Sequence, residues 1–219
     1  MEYQEIYAAH ESVQHPGVRM NYLVSLPREH RSGEKLPLIL FLHGGGEKGS
    51  DPMLIHLFGA PKMAWKGEID FPCVLLSPQV PEGYNWVQLV EETHDILLKV
   101  MTEYPVDKAR VSLTGMSMGG FGAWALGIAH PETFSALAPI CGGGEPEKAI
   151  ALSHLPVLVY HGERDHIVPL EKSQSMVDAV NACGGHAKLK VLPVGHDESW
   201  RYAYEDTPLL AWLSSHRKA

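Results

Sequence analysis

Ser117 stands in "VSLTGMSMGGFGAW", where an apolar run of strand length turns at Gly115 into a run of small residues with helical character. A hydroxyl at such a corner projects clear of a sheet, and the helix N-terminus behind it favours developing negative charge. Glycines at 115 and 119 relieve the clashes of a strained turn. Taken alone, the stretch fits two readings. Ser117 is a nucleophile, or it caps a helix that packs closely on a sheet. A nucleophilic serine needs a histidine base held by a carboxylate, and two N–H donors for the oxyanion. The rest of the chain offers each of these. "PVLVYHGERDHIVP" places Asp165 just past a strand, and "LKVLPVGHDESW" places His196 just past the next. Glu163 is the alternative acid. His161 lies on its strand and is expected to be packed; His166 and Asp197 each adjoin the partner they would have to reach. His186 precedes its strand and falls at the wrong edge.

The second oxyanion donor is expected in "PLILFLHGGGEKGSD", where a strand ends in His43-Gly44-Gly45-Gly46. Glycines let backbone amides approach a substrate unobstructed. The amides of Gly45 and Met118 are the expected pair, with Gly46 next. His43 is expected to orient the loop. Gly44-x-Gly46-x-x-Gly49 also matches a dinucleotide fingerprint. That fingerprint opens a helix directly, whereas "GSDP" reads as a turn, and no acidic residue ends the strand that closes on Ser77-Pro78-Gln79.

These corners require strands that run side by side. "PLILFLHG", "CVLLSPQ", "RVSLTG", "FSALAPICGGG" and "PVLVYHGERD" are continuous apolar runs, as in central parallel strands, and "AKLKVLPVG" is a further strand. "VQLVEETHDILLKVMTEY" carries Val90, Leu97, Leu98 and Met101 on one helical face. "LEKSQSMVDAVNACGG" reads as a helix closed by glycine, and "TPLLAWLSSHR" as a terminal helix. "VRMNYLVSLP" alternates like an exposed antiparallel strand in a leading hairpin. Alternating strands and helices give an α/β class with a mixed, mainly parallel sheet and helices on both faces. Ligands of such sheets bind beyond the strands' carboxyl ends.

Composition bounds the rest. A chain of 219 residues with 45% hydrophobic content suits one domain, 1–219, with a full core. A formal charge of -8 and the lack of a basic run argue against nucleic acid. Cys73, Cys141 and Cys183, without a CxxC pair, argue against a disulfide framework or a zinc site. The N-terminal stretch lacks the regions of a signal peptide, and no run is long enough to span a membrane. A cytoplasmic location is expected, with no metal and no cofactor.

"LILFLHGGGEKGSD", "VLLSPQVPEGYNW", "GMSMGGFGAW", "HGERDHIVP" and "GHDESW" together resemble the α/β-hydrolase superfamily. More narrowly, they resemble bacterial phospholipase/carboxylesterases, dienelactone-hydrolase-like proteins and "predicted peptidase" esterases. The resemblance runs from about Tyr22 to Trp212. It implies an α/β-hydrolase fold and a serine carboxylesterase acting on small acyl or aryl esters. Ser117, Asp165 and His196 would be its triad, and the Gly45 and Met118 amides its oxyanion hole. Dienelactone hydrolases carry cysteine where Ser117 stands, so the resemblance implies ordinary ester hydrolysis. No large cap domain is expected; only Ser50 to Asp70 is long enough to overhang the site.

Trp86, Trp200, Tyr84, Met116 and Cys141 are the candidate pocket residues, with Met53, Leu57 and Phe58 on the opposite wall. The partner is a small-molecule ester. The oligomeric state, a homodimer included, is open. Two alternatives stand beside the esterase. One is a thioesterase or acyltransferase with the same triad. The other is a ligand-binding homologue that has lost turnover.

Overall fold

A computed structural model describes residues 1–31 and 33–218. Eight strands form one sheet: β1 (Tyr3–Glu11), β2 (Arg19–Pro27), β3 (Leu36–Leu42), β4 (Val74–Gln79), β5 (Val106–Met116), β6 (Ala136–Ile140), β7 (Pro156–Gly162) and β8 (His186–Leu192). Their order is β1-β2-β4-β3-β5-β6-β7-β8. β2 pairs antiparallel with both β1 and β4, and every other pairing is parallel. The carboxyl ends of β3, β5, β6, β7 and β8 therefore lie along one edge.

Among the described residues, six α-helices cover the faces. α2 (Val90–Glu103), α3 (Met118–Ala129) and α4 (Glu171–Ala182) share one apolar core with the sheet. α1 (Gly59–Trp65), α5 (His196–Glu205) and α6 (Leu209–Ser215) share the other. Being covered twice is why β3 and β4 are buried at every residue and read as unbroken apolar runs.

Some expectations are corrected. β2 is buried over most of its length, because it lies between two strands and its own Met20, Tyr22 and Val24 pack into the α2-side core. Its neighbour β1 takes the exposed edge instead. On α2 the inward face is Thr93, Ile96, Leu97, Val100 and Met101. Leu98 is exposed, since one residue turns the helix by about 100° away from Leu97. The Ser50–Asp70 segment forms a short 3-10 turn, Pro52–Leu57, and then α1, which packs against α5. α5, which begins at His196, was not anticipated as a helix.

The sharp turn from β5 to α3 depends on missing side chains. A Cβ at Gly119 would overlap the Leu42 carbonyl at the end of β3, and one at Gly122 would overlap the Trp86 side chain. Backbone cannot retreat as a flexible side chain does. Gly119→Ala is therefore expected to destabilise the fold by about 3 kcal/mol or more, measured by urea unfolding. An unchanged midpoint would contradict the close packing.

Candidate active site

Ser117 joins β5 to α3 with φ 55 and ψ -117, a region that side-chain-bearing residues rarely occupy. The turn is held by main chain on both sides. The Ser117 amide donates to the Ile140 carbonyl at 3.0 Å, and the Phe121 amide donates to the Ser117 carbonyl at 3.1 Å. The next strand end is strained too: Cys141, just past β6, has φ 40.

Asp165 and His196 meet Ser117 at this edge. The Ser117 hydroxyl lies 2.8 Å from His196 Nε2, and His196 Nδ1 lies 2.5 Å from Asp165 Oδ2. A carboxylate only accepts, so Nδ1 carries the imidazole hydrogen. Nε2 is then free to accept from the hydroxyl. The Asp165 side chain is buried. Its other oxygen accepts from the amides of Ile167 at 2.9 Å and Val168 at 2.8 Å. Burial alone would raise its pKa. The hydrogen bonds from His196, Val168 and Ile167 outweigh that and hold the carboxyl below its usual range.

His161 is packed, as expected, but against the same carboxylate. Its Nε2 lies 3.2 Å from Asp165 Oδ2 and 2.9 Å from the Val168 carbonyl. Nε2 therefore carries a hydrogen. Its Nδ1 lies 2.7 Å from the Ser173 hydroxyl, which also reaches the Gly142 carbonyl at 2.9 Å. Burial lowers the His161 pKa, which favours the neutral ring. The loop that presents Asp165 is thus tied to β7, to α4 and to the turn after β6.

The glycine loop after β3 is fixed from below. The Val80 amide donates to His43 Nε2 at 3.0 Å, so Nδ1 carries the hydrogen and donates to the Gly44 carbonyl at 2.6 Å. Burial lowers the His43 pKa to about 4, so the ring stays neutral. The Trp86 indole donates to the His43 carbonyl at 2.9 Å, and the Gln79 amide to the Glu47 carbonyl at 3.0 Å. Gly45 and Gly46 are left exposed at the tip. No α-helix opens there; the loop makes one 3-10 turn, Gly45–Glu47.

The five expected pocket residues part company. Trp200 lies one turn after His196 on α5, its ring edge-on to the imidazole with centroids 5.0 Å apart. Phe58 meets Trp200 in turn, at 6.2 Å. Trp86 is 1% exposed: its indole fills the space left by Gly122 and holds the His43 carbonyl, and the residue also borders a cleft beside Met118. Tyr84 packs against His15, ring centroids 6.1 Å apart, beside the α2-side core. Met116 and Cys141 are buried under the site in the α5-side core. Cys141, Asp165 and His196 bring potential metal-ligand atoms within 4.8 Å of one another. A metal would need the thiolate, yet burial pushes the Cys141 thiol up to about 12. The donor set suits a shared proton better than a cation.

Residues 83–200, more than half of the chain, match the family model described as "Dienelactone hydrolase family". The chain belongs to the dienelactone hydrolase family. Among solved structures, the chain is similar to a thermostable esterase, with 28% identity and a TM-score of 0.87 over 98% of this chain and 63% of that one. It shares the fold of the feruloyl esterase module from Clostridium thermocellum, at 13% identity and a TM-score of 0.75, covering all of this chain and 90% of the module. It is also 24% identical to the uncharacterized peptidase YuxL of Bacillus subtilis (strain 168), over 81% of this chain. The chain spans about a third of that relative's length. No helix among the described residues is long and apolar enough to cross a membrane.

Glu47 escaped the sequence reading. A buried carboxyl at the end of a triple-glycine loop carries no sequence signal beyond its position. It is 2% exposed, and its Oε1 has no hydrogen-bond partner. Burial pushes its pKa up to about 7, against the opposing pull of the Glu47, Gly44 and Gly46 amides. A carboxyl whose folded pKa is raised binds its proton more tightly in the native state. Its contribution to stability is present at low pH and is lost as pH rises from the unfolded value to about 7. The loss is on the order of 3 kcal/mol. Glu47→Gln mimics the protonated form. The stability difference between this variant and the parent should grow in the variant's favour from pH 5 to pH 8 in chemical unfolding. A difference that does not vary with pH would contradict it.

Proposed function

We propose that this chain is a serine carboxylesterase that works through an acyl-enzyme. The observation that supports it is the unbroken hydrogen-bonded line from the Ser117 hydroxyl through His196 to the Asp165 carboxylate, with the imidazole hydrogen fixed on Nδ1. In this reading His196 Nε2 takes the Ser117 proton as the oxygen attacks an ester carbonyl carbon. Asp165 keeps the ring in the productive tautomer and stabilises the imidazolium that forms. The Gly45 and Met118 amides receive the oxyanion. The tetrahedral intermediate collapses, the ester C–O bond breaks, and His196 gives the proton to the departing alkoxide. Water, deprotonated by His196, then releases the acid and restores Ser117. Every step uses groups of this chain, with the alcohol and the carboxylic acid as products.

A peptidase reading is favoured by the likeness to the uncharacterized peptidase of Bacillus subtilis. It uses the same residues and differs in the leaving group. An amide nitrogen leaves only when protonated, so it asks more of His196. Paired p-nitrophenyl esters and p-nitroanilides of one acyl group separate the two.

Ser117→Ala is expected to lower kcat for p-nitrophenyl acetate by a factor on the order of 10⁶ in a well-folded protein. Hydrolysis at the parental rate would refute the proposal.

A further inference from the structure

Two apolar features flank Ser117, one on each face of the sheet. On the α2–α3 face a cleft of about 560 Å³ is lined by Asn85, Trp86, Val87, Gln88, Met118 and Phe121. Met118 offers its amide to the oxyanion and its side chain to this wall. Val87 is 54% exposed, an apolar residue with no core role. On the α1–α5 face stand Trp200, edge-on to His196, and Phe58 beyond it. The two sets belong to different cores, Met118 and Trp86 to one and Trp200 to the other.

The chemistry of acyl transfer gives these sides different occupants. His196 must deliver its proton to the leaving oxygen, so the alcohol group lies on the His196 side. The carbonyl oxygen is turned to the Gly45 and Met118 amides. The acyl substituent is then directed away from His196, toward α3. We propose that the Val87–Met118–Phe121 cleft is the acyl subsite and that Trp200 and Phe58 form a separate alcohol subsite, an inference that rests on the acyl-transfer reading of Ser117. The cleft falls within the ~300–1,000 Å³ that holds compact ligands, so it takes an acyl group much larger than acetyl. Its polar lining has one sense only. The Asn85 amide donates to Gln88 Oε1 at 3.0 Å, and the Gln88 amide donates to Asn85 Oδ1 at 3.1 Å. Both side-chain oxygens are engaged, which leaves the two NH₂ groups as donors. The acyl group that fits is apolar and ring-sized and carries an oxygen acceptor.

The test compares two selectivity ratios in the full chain. The first is kcat/KM for p-nitrophenyl 3-phenylpropanoate over p-nitrophenyl acetate, which varies only the acyl group. The second is kcat/KM for benzyl acetate over ethyl acetate, which varies only the alcohol. Val87→Asp should lower the first ratio roughly 10-fold and leave the second unchanged. Phe58→Ala should do the reverse. Both positions are exposed, so folding should be preserved. A variant that moves both ratios together, or neither, overturns the division into subsites. Failure of the parent chain to hydrolyse any of these esters overturns the acyl-transfer reading itself, a result distinct from shifted ratios.

Discussion

Contact between the start of α3 and the strand ends beside it governs the architecture of the site. Helix α3 approaches β3 so closely that only hydrogen fits at Gly119, and the Trp86 indole fills the room left by Gly122. The turn leading into that helix has no room to relax, so Ser117 is held at φ 55. Strain of this kind, on the order of 1–3 kcal/mol, persists only where surrounding structure over-determines it. Here the surroundings are main-chain bonds to Ile140 and Phe121 and the two-sided burial of β5. The indole that fills against Gly122 also holds the His43 carbonyl, so one packing contact serves both the serine corner and the glycine loop.

Around that corner the polar groups are arranged so that each proton has one place to be. His43 is fixed as the Nδ1–H tautomer by the Val80 amide, and His196 as the Nδ1–H tautomer by Asp165. Asp165 is surrounded by donors from His196, His161, Ile167 and Val168. A carboxylate so enclosed cannot swing away from the imidazole, and its negative charge is what an imidazolium would need. Such preorganisation lowers the reorganisation required when charge develops. Glu47 is the exception, a buried carboxyl with an unpartnered oxygen beneath an exposed glycine tip.

Much of this was legible in the sequence, for a physical reason. Strands buried on both faces read as unbroken apolar runs, and the residues just past them must then share an edge. That logic placed Ser117, Asp165 and His196 side by side, and the structure brings them within hydrogen-bond distance. It also gave a mixed sheet with helices on both faces. What it missed depends on contacts between distant segments. Trp86 reads as a loop aromatic, and nothing local shows that Gly122 leaves a slot for its indole. Leu98 is apolar but lies one residue round the helix from the buried face. "HDESWRYAYE" is polar enough to pass for a loop, and α5 forms because Ala203 and Tyr204 pack into the core. Val87 and Phe121 lie far apart in the chain, and only the fold brings them to one cleft beside Met118.

The central claim is that Ser117 oxygen becomes acylated. Rapid mixing with p-nitrophenyl acetate, acid quenching and peptide mapping by mass spectrometry tests it directly. The account predicts one acetyl group on the peptide carrying Ser117, with no acetyl retained by the Ser117→Ala protein. Ester turnover with the acetyl group on another side chain, or with Ser117 free throughout, would contradict it.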